Sequence, residues 1–179
     1  MIRTRRLLLR RAQPGDLAAA HAMLSHPAAM RYWATPEHAT LDQSRAWLDE
    51  MIAGHPDCDD FVVEHAGQVI GKCGAWRLPE LGFLLHPDHW GKGLATEALR
   101  ALIPYLFRRH PIKALTADVD PRNHASTRVL TRLGFVETGR ASRTLLWRDE
   151  WCDSVYLALP REMVGDMGGD MGGDTSAPA

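Results

Sequence analysis

Two hydrophobic periods alternate along this chain, and together they divide it into elements. A period of two marks a strand and a period near 3.6 marks a helix. Residues 7–11 open as a strand, which Pro14-Gly15 breaks. Asp16 stands where a helix cap belongs, and Leu17, Ala20 and Leu24 give the next helix its buried stripe, with Pro27 beyond its end. Residues 28–39 hold no period and read as irregular. Thr40-Leu41-Asp42-Gln43 has capping-box spacing. It predicts a helix with Trp47, Leu48, Met51 and Ile52 on one side, stopped by Gly54 and Pro56. Residues 61–65 and 69–76 predict a hairpin about Ala66-Gly67-Gln68. After Arg77-Leu78-Pro79 comes the apolar run Leu81-Gly82-Phe83-Leu84-Leu85, opened by Glu80 and closed before Pro87. Such a run predicts a buried strand.

Downstream, Leu94, Ala95, Ala98, Leu99 and Leu102 recur at helical spacing. They predict a helix from Lys92 or Gly93 to Arg109, kinked or locally irregular at Pro104. Residues 114–119 read as a strand. A helix joins it to the strand at 80–85, so the two are expected to run parallel with a right-handed crossover. Asp120-Pro121-Arg122-Asn123 then opens a helix with Ala125, Val129, Leu130 and Leu133 on one face, and Gly134 followed by Phe135 fits a left-handed helix end. Residues 135–138 and 154–159 read as strands, and residues 139–153 as a looser connection or a further hairpin arm. From about Arg161 the chain turns to Gly-Asp-Met low complexity. This predicts a disordered tail over residues 161–179, after a single domain over residues 1–160. Asp166, Asp170 and Asp174 lack the spacing of a calcium loop.

Composition excludes several function classes. Hydrophobic residues make up 45% of the 179, enough for one domain with a full core. The net charge of −1 gives the whole molecule no attraction for nucleic acid, and a nucleic-acid face would need basic and aromatic residues interleaved. Arg3, Arg5, Arg6, Arg10 and Arg11 cluster instead around one strand, where they are expected on its solvated face and ends. Leu7-Leu8-Leu9 is too short for a signal-peptide core, and no apolar run reaches the ~20 residues of a membrane span. Cys58, Cys73 and Cys152 form no Cys-x-x-Cys pair, which argues against a zinc site or disulfide framework and fits a reduced, cytoplasmic setting. His86 and His89 are neighbours, but no cysteine or carboxylate pattern completes a metal site around them.

The chemistry lies between the strand at 80–85 and the helix that follows. Gly91-Lys92-Gly93 there makes a strand, glycine-rich turn and helix start in succession. Glycines let a backbone approach an anion closely, and the first helical N–H groups lack intrahelical partners and face the positive end of the dipole. The Walker spacing is absent, and the dinucleotide pattern fails at Thr96. What the six residues Trp90-Gly91-Lys92-Gly93-Leu94-Ala95 resemble is the acetyl-CoA pyrophosphate loop of GNAT acyltransferases, Gln/Arg-x-x-Gly-x-Gly/Ala. Trp90 stands where the consensus has Gln or Arg, which is how the RimJ/RimL-like branch reads. A second stretch, Asn123-His124-Ala125-Ser126 running on to Leu133-Gly134-Phe135, resembles the Asn-x-x-Ser … Leu-Gly-Phe segment of that branch. The likeness extends over about residues 3–160.

This resemblance implies a mixed α/β fold: a mostly antiparallel seven-stranded sheet with helices on both faces and one splayed parallel strand pair. It implies acetyl-CoA as cosubstrate, lying in the splay with its pantetheine arm against Phe83, Leu84 and Leu85. The pyrophosphate would meet Trp90, Gly91, Lys92, Gly93, Leu94, Ala95 and Thr96, and the arm would meet Asn123 and Ser126. The implied reaction is direct acetyl transfer to a primary amine. Glu80 would be the base, an N–H near Phe83 or Leu84 would meet the oxyanion, and Ser126 would assist the leaving thiolate. Each residue also has a plainer reading: Glu80 an exposed strand start, Asn123 and Ser126 a helix cap and first turn, Lys92 a solvated side chain. Within the likeness the acceptor is first a protein or peptide N-terminal α-amine and second a small-molecule amine. A non-catalytic acyl-CoA-binding domain is the reading from another class. A homodimer through the sheet edge is a further implication; no metal, nucleic-acid or membrane partner is expected.

Overall fold

The computed structural model describes residues 1–54 and 58–164. Its strands are β1 (Ile2–Arg3), β2 (Leu7–Arg10), β3 (Asp59–His65), β4 (Gln68–Arg77), β5 (Glu80–Leu85), β6 (Ala114–Val119), β7 (Val136–Trp147) and β8 (Glu150–Pro160). They form one sheet in the order β1-β2-β3-β4-β5-β6-β8-β7. Every neighbouring pair is antiparallel except β5 and β6, which are parallel as the connecting helix requires. The helices are α1 (Leu17–Leu24), α2 (Pro27–Met30), α3 (Leu41–Ala53), α4 (Leu94–Arg109) and α5 (His124–Arg132).

Among the described residues the sheet holds eight strands where seven were expected. The additional one is β1, which folds back to place Ile2 opposite Leu9. Two residues are too few to display a period. Within residues 28–39, α2 forms as one turn: Pro27 takes the first helical position, and the His26 ring accepts from the Ala28 N–H at 3.2 Å. The connection at 139–153 resolves into the long hairpin β7–β8. Most of β7 is exposed, so it offers no apolar alternation to read. Helix α4 runs unbroken through Pro104.

Capping follows the sequence at α3 but not at α1. Thr40 and Gln43 close a reciprocal capping box on α3. Asp16 heads α1 without capping it, because its carboxylate accepts two bonds from the Arg10 guanidinium, at 2.9 and 2.8 Å, and one from the Gln13 N–H at 2.9 Å. The N-terminal arginines are therefore not simply solvated. Arg6, Arg10 and Arg11 pair with Glu97, with Asp16 and Glu64, and with Asp59.

The alternation of β5 divides the core. Leu81 and Leu85 join the larger cluster with Leu94, Leu99, Leu102 and Leu106 of α4. Leu84 points the other way, into a cluster with Met23, Leu24, Ala29 and Met30. β5 is thus covered on both faces, which accounts for its uninterrupted apolar run. Beyond Pro160, residues Arg161–Val164 make a 3-10 turn and Val164 packs against the larger cluster. Pro56 and the expected tail from residue 165 lie outside the described residues.

Candidate active site

The register opens a wedge beside β5. β5 and β6 share a single paired position, Glu80 opposite Thr116, where the Thr116 N–H donates to the Pro79 carbonyl at 2.9 Å. On the other edge the His86 N–H donates to Ile70 at 2.8 Å. Backbone groups alternate sides along a strand, so Phe83 and Leu85 direct their N–H and C=O toward β6, and Leu84 directs its own toward β4. Leu84 is therefore committed twice, by its backbone to β4 and by its side chain to the second cluster. Past Glu80 the Phe83 groups face the opening with no β6 register partner. The Leu85 carbonyl accepts from the Trp90 indole N–H at 2.8 Å.

A glycine loop closes the end of the wedge. Gly91 and Gly93 have φ of 72° and 73°, in the left-handed region where a side chain is strained. Gly93 heads α4 and has no side chain to cap it, so the N–H groups of the first turn, at Leu94, Ala95 and Thr96, point outward together. The surroundings fix this loop. Lys92 turns its ammonium to the Asp88 carbonyl at 2.7 Å, and Arg6 donates to the Lys92 carbonyl at 3.1 Å. Glu97, in the first turn of α4, accepts from Thr4 Oγ1 and Arg6 Nε, both at 2.6 Å. Burial pulls the Glu97 carboxyl upward, but these bonds outweigh it and hold it below the usual carboxylate range. Arg6 thereby brings a guanidinium to the helix start; a Cβ built on Gly93 would lie 3.8 Å from its Nη2. Nothing in sequence spacing could have singled Arg6 out, since it is far from Gly93 along the chain.

Glu80 stands at the far end of the wedge. Its side chain is exposed, yet partial desolvation, followed by the charge of Asp118, pushes its carboxyl above the usual range. On the same face of β5, Trp33 covers Gly82: a Cβ built there would lie 3.7 Å from the indole. Lys72, buried on β4, holds its ammonium 5.4 Å from the centre of the Trp33 ring and pairs with Asp60 at 2.5 Å. Tyr32 and Trp76 are both exposed.

Asn123 and Ser126 meet at the start of α5. The Asn123 side-chain oxygen accepts from the Ser126 N–H at 3.1 Å, so Asn123 is the helix cap. Its amide NH2 is not used by that bond. Four histidines gather near the end of β5, with ring centres 5.3 Å apart for His26 and His86, 6.1 Å for His65 and His89, and 6.5 Å for His86 and His89. Burial first, then Lys92 and the other rings, draws His89 below its usual pKa against the pull of Asp88. Among the described residues, no group of three or more potential ligands is placed to hold a metal ion. None of their helices is long and apolar enough to cross a membrane.

The family profile described as acetyltransferase (GNAT) domain matches residues 6–136. The chain belongs to the GNAT acetyltransferase family. The acetyltransferase is 30% identical over 146 residues to the N-acetyltransferase p20 of Bacillus licheniformis, spanning 76% of this chain and 82% of that protein. It is 38% identical over 86 residues to the [ribosomal protein uS5]-alanine N-acetyltransferase of Escherichia coli (strain K12), spanning 48% of this chain and 44% of that protein. Among solved structures, a GNAT acetyltransferase from Bacillus anthracis superposes with a TM-score of 0.80 at 25% identity, over 90% of this chain and 98% of that one. RimL, a ribosomal L7/L12 α-N-protein acetyltransferase solved with coenzyme A, does so with 0.79 at 19% identity, over 89% and 97%.

An acetyl-CoA-dependent transfer fits the residues present. Two left-handed glycines, an uncapped helix start and the Arg6 guanidinium suit a pyrophosphate. The backbone groups left open at Phe83 suit an amide-bearing arm laid along the strand.

Proposed function

We propose that this acetyltransferase transfers acetyl from acetyl-CoA to the α-amine of a protein or peptide N-terminus, in the cytoplasm. The observation that carries the reading is the wedge between β5 and β6, with a carboxyl of raised pKa at one end and a glycine-lined helix start at the other. The Phe83 N–H, directed into the wedge, meets the developing oxyanion; its direction favours it over Leu84. Glu80 takes a proton from the acceptor ammonium, directly or through one water, and the neutral amine so formed attacks the thioester carbonyl. Asn123 keeps its amide NH2 for a carbonyl of the pantetheine arm while its oxygen caps α5. Ser126 turns its hydroxyl to the leaving thiolate. The 38% identical relative named as a [ribosomal protein uS5]-alanine N-acetyltransferase supports a protein acceptor.

The α-amine also suits a base of modest strength. With a pKa near 8, roughly a tenth of it is neutral at pH 7, whereas a lysine or polyamine amine near 10.4 is almost wholly protonated. A thiol-release assay with acetyl-CoA tests the assignment. N-terminal peptides should release coenzyme A faster than free lysine, spermidine or aminoglycosides. Turnover of the small amines without any peptide would overturn the acceptor in favour of the small-molecule alternative.

Glu80→Gln should lower kcat about tenfold at pH 7, the scale set by the scarcity of neutral amine, and regain part of it toward pH 9. The sign follows from the raised pKa. The wild-type acid limb should lie above the ordinary glutamate range, since Glu80 loses its basic form as pH falls through that value. The same shift means that Glu80 favours the fold in its neutral form and opposes it once ionised, so Glu80→Gln should not lower the melting temperature at neutral pH. An unchanged pH–rate profile would remove Glu80 as the base.

Ser126→Ala separates leaving-group assistance from helix capping. Its backbone N–H, which Asn123 caps, survives the substitution. A fall in kcat of roughly tenfold with an intact acetyl-CoA melting shift is expected. Full activity would leave Ser126 as a first-turn residue of α5.

A further inference from the structure

The loop that carries Tyr32 and Trp33 and the turn that carries Asn123 meet at one carboxylate. Glu150 opens β8 opposite Trp147, on the last rung of the β7–β8 hairpin. One of its oxygens accepts from Arg122 Nη1 and the other from Arg31 Nη1 at 3.4 Å. Arg122 belongs to the turn that enters α5. It donates from Nε and Nη2 to the two oxygens of Asp120 at 2.9 and 2.6 Å and to the Cys152 sulfur at 3.2 Å, and the next residue is the cap Asn123. Arg31 precedes Tyr32 and Trp33, and its guanidinium lies 5.5 Å from the ring centres of both Tyr32 and Trp147. A second ion pair, Arg148 with Glu37, ties the hairpin tip to the same loop. Glu150 therefore stands between the segment that carries Asn123 and the loop whose Trp33 covers Gly82 of β5.

We propose that Glu150 is a positioning residue that couples cofactor binding to acceptor binding. The coupling rests on the peptide-acceptor reading above. When Asn123 is held by the cofactor arm, Arg122 is held with it. Arg122 then fixes Glu150, and Glu150 holds Arg31 and with it the loop of Tyr32 and Trp33; Trp33 lies against Gly82 on the β5 face that carries Glu80, so this loop walls the acceptor side of the wedge. Such coupling is reciprocal, so the acceptor tightens the cofactor by the same factor. Its size follows from the solvent exposure of the members. The side chains of Arg31, Arg122 and Glu150 are 41%, 40% and 47% exposed. Exposed pairs are weak, which limits the coupling to about fivefold and leaves global stability nearly untouched. The two guanidinium groups, Arg122 foremost, hold the Glu150 carboxyl below the usual range, so the relay stays charged at neutral pH and responds to salt instead.

Calorimetric titration of an N-terminal peptide into the protein, with and without saturating coenzyme A, measures the coupling directly. In the wild type, coenzyme A should tighten the peptide about fivefold at low salt and less at about 0.5 M salt. Glu150→Gln should bring the ratio to near one and raise the peptide KM, with little change in kcat. Its melting temperature and coenzyme A melting shift should be retained, and Glu150→Asp should recover part of the ratio. A Glu150→Gln protein that keeps the coupling overturns the relay, and so does one that loses its fold or its coenzyme A shift, which would make Glu150 merely structural. A wild type that neither binds nor acetylates any peptide overturns the acceptor reading and the relay together, a pattern distinct from failure of the relay alone.

Discussion

Gly93→Val is expected to abolish most of the acetyl-CoA-induced rise in melting temperature and to lower kcat/KM by roughly 10² to 10³. Three effects act in the same direction. The φ of 73° at this position belongs to the left-handed region, which costs a side-chain-bearing residue about 1–2 kcal/mol and a β-branched one at the upper end. Relief of that strain rotates the peptide and turns the first N–H groups of α4 away from the anion. A hydrogen bond to a charged group contributes about 1.5–3 kcal/mol, so the loss of one or two of them accounts for the expected range. The added side chain also enters the space beside Arg6, whose Nη2 lies 3.8 Å from a Cβ there. Wild-type protein at one hundred times the dissociation constant should gain about 2.7 kcal/mol from the ligand. Thermal melting with and without millimolar acetyl-CoA reads the shift in both proteins, and the thiol-release assay reads kcat/KM. A full melting shift in Gly93→Val would show that the loop does not carry the pyrophosphate.

Lys72→Ala should produce the largest loss of stability, about 3–5 kcal/mol, or roughly 10 °C in melting temperature. Lys72 and Asp60 pair at 2.5 Å, with only 4% and 6% of their side chains exposed. The second Asp60 oxygen is buried and has no hydrogen-bond partner, so removal of the ammonium leaves a buried carboxylate with nothing to compensate it. The surroundings are tight: a Cβ on Gly74 would overlap the Asp60 Cα and the Asp59 carbonyl oxygen. The backbone there has little room to move and admit water. Lys72→Met combined with Asp60→Asn removes both charges and should recover much of the loss, because the penalty comes from one unpaired charge rather than from the absence of the pair. Urea or thermal unfolding of the single and double variants checks this. Equal melting of Lys72→Ala and wild type would show that water reaches Asp60.

The sequence was most informative where one chain segment made a whole feature by itself. The β5 run is apolar at both parities because helices cover both of its faces. The Thr40–Gln43 capping box is local, and so is the left-handed glycine pair that starts α4. The element order from β2 to α5, α2 excepted, and the parallel direction of β5 and β6 followed from these periods and from the helix that joins the two strands. Less was legible where exposure or shortness removed the period, as in β1, α2 and the outer arm of β7. Asp16 had the right residue type for a cap, yet Arg10 provided a stronger partner than any helical N–H could.

By itself, then, the sequence determined the strand–loop–helix unit from Glu80 to Arg109 and the cap at Asn123. Each depends on backbone conformations and spacings fixed within a few residues. The tertiary structure alone decided which groups meet across the sheet. It turned Phe83 rather than Leu84 toward the wedge, brought Arg6 to Gly93 and Asp118 to Glu80, and let one carboxylate, Glu150, bridge Arg31 and Arg122. Those pairings depend on strand order and register, which join segments up to 119 positions apart. No local pattern encodes them, because the free energy that selects them comes from burying the whole sheet at once.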